Sequence, residues 1–263
     1  MHTCPATAAG RAWTPPTSTP RSVRRTAAEI FGSHDATHCS RVHRVKRPSS
    51  PGARRRQQLH DRYGPCAVVT GASSGIGREI ARRLAEAGFD LVLVARREPQ
   101  LRELAADLTA RHPVMVRTLP ADLSTCDGVD AVTRCTSDLD IGLYVASAGF
   151  GTSGPFLDAT IDTEVEMLRV NCEAVLRTSL VFGRRLADRG RGGLVLMSSI
   201  VAFQGMPDAA HYAATKAYVQ SLAEALYVEL APRGVDVLAA APGPTHSGFA
   251  ERADMRMGRA LTP

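Results

Sequence analysis

Tyr212 and Lys216 stand four residues apart in Tyr-Ala-Ala-Thr-Lys, a spacing that puts both side chains on one face of a helix. An ammonium beside a phenol stabilises the phenolate and lowers its pKa from the reference near 10. The phenol then serves as a general acid toward a developing alkoxide, or as a base in the reverse direction. A tyrosine one turn from a solvated lysine also occurs on ordinary helices, but the composition speaks against that here. The chain has 30 arginines and two lysines, and Lys216 is the only lysine after residue 62. Where a positive charge alone suffices this chain uses arginine, so a lysine at 216 points to a compact, orientable ammonium. Ser199 lies thirteen residues before Tyr212, just past the apolar run 194–197. A hydroxyl at the carboxyl end of a strand can donate to a substrate carbonyl oxygen.

A second group of residues could hold phosphate. In Thr70-Gly71-Ala72-Ser73-Ser74-Gly75-Ile76-Gly77, glycines allow a sharp turn and a close backbone approach. The segment falls between an apolar strand pattern and a helical one, where a helix N-terminus offers free N–H groups to a pyrophosphate. An acidic residue at the end of the next strand would mark NAD. This chain has Ala95-Arg96-Arg97 there. A guanidinium can grip the extra 2′-phosphate of NADP, with Ser73 placed to assist, so NADP is the expected cofactor and NAD the less favoured one. The competing reading is that Arg96 only caps an exposed strand end.

These residues need a scaffold, and the pattern after Gly64 provides one. Short β-branched runs at 66–70, 91–95, 114–119, 143–147, 194–197 and 235–241 alternate with helical stretches at 77–87, 100–111, 128–137, 162–188 and 213–230. Apolar two-sided strands alternating with helices signal a parallel sheet covered on both faces. The expected fold class is α/β, a Rossmann-type doubly wound parallel sheet in three α/β/α layers.

Composition narrows the rest. A chain of 263 residues that is 44% hydrophobic can bury one good core. No run approaches the length of apolar residues that a membrane-spanning helix needs. The six cysteines have neither C-x-x-C pairing nor metal-ligand spacing, so no metal site is expected. Scattered cysteines in a chain of this length fit a reduced, cytoplasmic protein. The net charge of +6 is unevenly divided: residues 1–62 hold 12 basic against 3 acidic residues, and the remainder 20 against 23. Residues 1–62 are rich in proline and arginine and lack sustained apolar periodicity, so they are expected to be a disordered extension, with 63–263 the catalytic domain. A nucleic-acid-binding arm, a transit peptide and an early start site are alternatives for that segment, but no aromatic interleaving supports a nucleic-acid partner.

Taken together, these motifs resemble the short-chain dehydrogenase/reductase family over nearly all of 64–249. Thr70–Gly77 fits T-G-x-x-x-G-x-G. Asp122-Leu123 fits the acidic residue near the adenine, and Ala148-Gly149 the end of the N-N-A-G motif, although Ala146-Ser147 stand where that motif usually has two asparagines. Asn171 fits the asparagine of the long central helix, and Ser199, Tyr212 and Lys216 the catalytic positions. Pro242-Gly243 fits the turn after the sixth strand, with Thr245 or Ser247 supplying the hydroxyl that follows it. The resemblance implies an oxidoreductase acting on a small-molecule carbonyl or alcohol. In it Tyr212 is the acid/base, Ser199 orients the carbonyl, Lys216 also binds the nicotinamide ribose, and Asn171 holds a relay water. Ser74, Gly75 and Ile76 belong with Gly71, Ser73 and Gly77 in the implied cofactor site. The family's seventh strand is expected to be missing, which leaves six strands and the two long helices to form a homodimer. The alternatives are an inactive NADP-binding regulator with a truncated lid, or a sugar-nucleotide epimerase or dehydratase. The latter usually carries G-x-x-G-x-x-G, which is absent here.

Overall fold

The computed structural model describes residues 51–245, which belong to one folding unit. Helix α1 (Pro51–Tyr63) leads into strand β1 (Cys66–Thr70), followed by α2 (Gly75–Glu86), β2 (Asp90–Ala95), α3 (Glu98–Arg111) and β3 (Val116–Pro120). The second half comprises α4 (Cys126–Cys135), β4 (Ile141–Ala146), α5 (Ile161–Leu168), α6 (Ala174–Arg189), β5 (Gly192–Met197), α7 (Ala210–Leu230) and β6 (Val235–Ala240). The six strands form one sheet in the order β3-β2-β1-β4-β5-β6, with every neighbouring pair parallel. From β1 the chain runs one way to β2 and β3 and then crosses back to β4, so a crevice opens between the carboxyl ends of β1 and β4.

Side-chain alternation divides the core between the two faces of the sheet. Val68, Val92 and Val94 pack with Phe182, Leu186 and Val219 of α6 and α7. Their neighbours Ala67, Val69, Leu91 and Leu93 pack with Leu84, Leu101, Leu104 and Leu108 of α2 and α3. Tyr144 is fully buried and stacks on Phe182 at 4.3 Å between ring centroids. The helix ends follow the expected punctuation. Gly88 after α2 and Gly190 after α6 have φ of +88° and +72°, a region in which glycine carries no Cβ penalty.

Two features differ from the expectation. The central helix is interrupted by a π-helical turn at Arg169–Glu173 between α5 and α6. One extra residue in such a turn re-aims the side chains within it. The basic extension also ends earlier than residue 62. Residues 51–63 form α1, because tertiary partners offset the ordering cost that composition alone cannot. Arg62 pairs with both oxygens of Asp236 at 2.6 and 2.8 Å, the Tyr63 hydroxyl donates to Asp236 at 2.5 Å, and His60 meets Phe89 edge-on. Together the two groups hold the Asp236 carboxyl below its ordinary range, chiefly through the Arg62 bond. At 54% and 45% exposure the ion pair contributes no more than about 1 kcal/mol. A chain starting at residue 63 should therefore melt a few degrees below one starting at 51, which calorimetry checks. Equal melting temperatures would show that α1 adds nothing to the fold.

Residues 1–50 and 246–263 lie outside the described residues, and with them most of the basic extension and Ser247. Among the described residues no helix is long and apolar enough to cross a membrane.

Candidate active site

The glycine-rich turn joins β1 to α2 at the crevice. Gly71 has φ +67°, and a Cβ there would stand 2.8 Å from the backbone nitrogen of Ala148, the residue that leaves β4. A Cβ on Gly77 would meet the Gly71 carbonyl at 2.5 Å. The two glycines thus permit the close packing that brings the turn, the start of α2 and the end of β4 together. Ser74 caps α2 without a side-chain hydrogen bond to the helix backbone, and no acidic residue occupies the first helical turn. Its first N–H groups and positive dipole end suit an anion.

At the end of β2 the two arginines take different partners. Arg97 donates to the hydroxyls of Ser73 at 3.1 Å and Ser74 at 2.7 Å, whereas Arg96 pairs with Glu166 of α5 at 3.0 Å. The residue singled out by position was Arg96, yet Arg97 is the one that reaches the glycine turn. Its signal was present in Ala95-Arg96-Arg97, but which guanidinium bends toward the turn depends on how the chain enters α3. Asp122, just past β3, accepts from the Ser124 backbone and hydroxyl at 2.9 and 2.8 Å. Burial works to raise its pKa, but the Ser124 bonds and Arg96 outweigh this and hold the carboxyl below its usual range.

Thr70 has a role that the sequence reading did not assign. Its hydroxyl donates to the Val145 carbonyl and accepts from the Ser147 and Ala148 amides, both at 3.0 Å. It thereby joins the ends of β1 and β4 where the family's two asparagines are replaced by Ala146 and Ser147.

Tyr212 and Lys216 share the inward stripe of α7 with Val219 and Ala223, so the periodicity that buries the helix also aims the pair at the crevice. Lys216 is 4% exposed. Its Nζ donates to the Met197 carbonyl at 2.9 Å and lies 5.8 Å from the Tyr212 ring centroid. Burial pulls the ammonium down to about 8. Tyr212 is buried too, and burial pushes its phenol up, opposed by a hydrogen bond with the Ser199 side chain. The net direction is therefore upward, opposite to the one expected from Lys216 alone. With Nζ held by Met197, desolvation dominates and Ser199 supplies the opposing effect.

Ser199 is buried and caps the short turn Ile200–Phe203. The Ile200 amide donates to the Pro242 carbonyl at 3.2 Å, which links the serine to the Pro242-Gly243 turn. The Thr245 hydroxyl donates to the Gly243 carbonyl at 2.8 Å. Asn171 lies within the π-helical turn and is buried. Its Nδ2 donates to the Phe150 carbonyl at 2.9 Å and the Thr215 hydroxyl at 3.0 Å, and its Oδ1 accepts from the Phe150 amide at 3.2 Å. Asn171 thus fastens the loop after β4 to α7.

A cavity of about 970 Å³ runs through the crevice. Gly71, Ser73, Ser74, Gly75, Ile76, Gly77, Arg96, Asp122, Leu123, Ala148, Gly149, Ser199, Tyr212, Lys216, Pro242, Gly243 and Thr245 all line it. Of the expected site residues that are described, Asn171 alone does not, standing one layer behind. Among the described residues no cluster of His, Cys, Asp and Glu could hold a metal ion.

A doubly wound parallel sheet whose switch-point crevice joins a glycine-rich turn to a buried Ser–Tyr–Lys group defines a dinucleotide-binding α/β oxidoreductase. The short chain dehydrogenase family model matches residues 65–257, and the chain belongs to that family. Its members act on CH–OH or C=O groups with NAD(P). The chain is 32% identical over 187 residues to a 7beta-hydroxysteroid dehydrogenase of Clostridium sardiniense, covering 71% of this chain and 72% of that protein. It is 36% identical over 183 residues to a very-long-chain 3-oxoacyl-CoA reductase of Neurospora crassa, covering 68% of this chain and 55% of that one. It thus spans only about half the length of the curated 3-oxoacyl-CoA reductases it matches. Among solved structures, a short-chain dehydrogenase from Sphingobium yanoikuyae in complex with NADPH is similar at TM-score 0.73 and 35% identity, over 76% of this chain and 80% of that one.

Proposed function

We propose that this chain is an NADP(H)-dependent carbonyl reductase or alcohol dehydrogenase in which Tyr212 is the general acid/base. The observation that carries the reading is the buried Tyr212 hydroxyl, bonded to Ser199 and beside Lys216, in the same cavity as the glycine turn. When bound, the nicotinamide supplies a hydride to the carbonyl carbon, or accepts one from the alcohol carbon. Ser199 donates a hydrogen bond to the substrate oxygen and holds it within reach of Tyr212. As negative charge grows on that oxygen, Tyr212 passes its proton to it and is left as a phenolate. The Lys216 ammonium stabilises that phenolate across a buried, weakly screened distance. Asn171 keeps the Phe150 loop and α7 in register through its bonds to Phe150 and Thr215.

Preference for NADP over NAD is supported by Arg97 with Ser73 and Ser74, by Arg96 nearby, and by the lack of a carboxylate at the end of β2. A relative solved with NADPH agrees with it. Arg97→Ala should weaken NADPH binding roughly tenfold to a hundredfold, since a hydrogen bond to a charged group is worth about 1.5–3 kcal/mol. NADH affinity should change little, and Arg96→Ala should cost less than Arg97→Ala. Nucleotide titration by fluorescence or calorimetry reads this directly. An unchanged NADPH/NADH ratio in Arg97→Ala would remove Arg97 as the selector.

We also propose a homodimer through α5, α6 and α7, where Leu168, Leu176, Leu180, Tyr227 and Val228 leave apolar side chains 45–68% exposed. Light scattering at the mass of one chain would rule it out.

A further inference from the structure

The two ends of the cavity differ in charge and polarity. Arg96 and Arg97 mark the nucleotide end. Around Tyr212 the wall is apolar, with Phe150 and Val201 packed against the cluster of Met167, Ala209 and Tyr212, and Ile200, Met206 and Pro207 completing it. Ile200 and Met206 are 49% and 39% exposed, and Phe203 beside them is 64% exposed. That is apolar surface left uncovered at the entrance, where a large apolar group would gain most from leaving water.

The rim of this end is acidic. The loop after β4 is tied to the segment before α7 by a hydrogen bond from the Gly154 amide to the Asp208 carbonyl at 2.8 Å. This bond holds Asp208 on the rim with φ +59°. On the other side of the tie a recess of about 190 Å³ adds Asp158 and Glu164. In that recess His211 is bound to the buried Glu164 at 2.6 Å. Among the described residues no arginine lines the substrate end, and its one lysine is Lys216 at the reacting centre.

Resting on the oxidoreductase reading above, we propose that the substrate is a bulky, apolar ketone or secondary alcohol without an anionic group, and that phosphate-bearing carrier thioesters are disfavoured. Asp208 on the rim and Asp158 in the adjoining recess repel a phosphate-rich carrier, while the apolar wall gains nothing from a polyhydroxylated sugar. The similarity to 3-oxoacyl-CoA reductases would then reflect the shared fold and chemistry rather than a shared carrier.

The test uses the full chain, NADPH and four carbonyl compounds: a ketone with bulky aryl groups, a ketose, a 3-oxoacyl-CoA, and the same acyl group as its uncharged N-acetylcysteamine thioester. The aryl ketone should exceed the ketose in kcat/KM by at least about tenfold, and the uncharged thioester should exceed the CoA thioester similarly. Asp208→Asn should narrow the thioester ratio about threefold. Asparagine suits this substitution because it tolerates the left-handed backbone at 208. Raising the salt from 0.1 to 1 M, which shortens screening from about 10 to 3 Å, should narrow the ratio in the unaltered chain as well. A CoA thioester as fast as its uncharged analogue, or a ketose preferred over the aryl ketone, would overturn the substrate class and leave the oxidoreductase reading standing. No turnover of any of the four by a chain that binds NADPH would overturn both.

Discussion

Tyr212→Phe should lower kcat for carbonyl reduction by roughly 10²–10⁴-fold, the usual worth of a positioned general acid. The substitution removes one oxygen and the proton it would transfer. The aromatic ring stays packed with Met167 and Ala209. The buried hydroxyl is bonded to Ser199, so its loss leaves Ser199 without that partner at a cost of about 1–3 kcal/mol in stability. The fold should survive this, because the ring's apolar contacts remain. NADPH affinity should change by less than about threefold, since most of the nucleotide's charge meets the glycine turn and the two arginines. Steady-state kinetics combined with nucleotide titration separates the two effects. A Tyr212→Phe variant that keeps more than about a tenth of the activity would remove Tyr212 as the acid.

Lys216→Arg should also lower kcat, by at least about tenfold, although the charge is retained. The ammonium lies in a buried space where one donor meets the Met197 carbonyl. A planar guanidinium is larger and needs more acceptors than that space presents. The pH profile gives a second readout. Burial holds Lys216 at about 8, so the cation is present below that pH and lost above it. If the cation supports phenolate formation, kcat/KM for reduction should be level below about pH 8 and fall as pH rises through it. In Lys216→Arg, whose guanidinium stays protonated, that fall should disappear while the overall rate remains low. An unchanged rate in Lys216→Arg, or a profile in the unaltered chain that stays flat well above the lysine's titration, would contradict the role given to Lys216.

The apolar alternation of 66–70 and 91–95 already divides the core between two faces. Val68 and Val69 do end on opposite sides of the sheet, because successive Cβ atoms of a strand must. The helical interval from Tyr212 to Lys216 likewise survives as a shared face of α7. Where the chain differs from expectation, long-range partners decide the outcome. Helix α1 forms from a segment whose composition suggested disorder, because Asp236 and Phe89 are brought beside it by the finished sheet. Neither partner is near it in sequence.

The same distinction runs through the site. Residue types and spacings alone were enough to specify the α/β architecture, the glycine turn before a helix, and Ser199, Tyr212 and Lys216 as residues that one cavity could collect, since strand and helix periods are local properties of the backbone. Only the tertiary structure decided that Arg97 rather than Arg96 reaches Ser73 and Ser74, that Thr70 joins β1 to β4, and that Asn171 fastens the Phe150 loop from behind the cavity. It also decided that burial, not Lys216, dominates the Tyr212 phenol. Each of these depends on which groups share a desolvated space, and desolvation and hydrogen-bond partners are set by segments that meet only when the sheet closes around them.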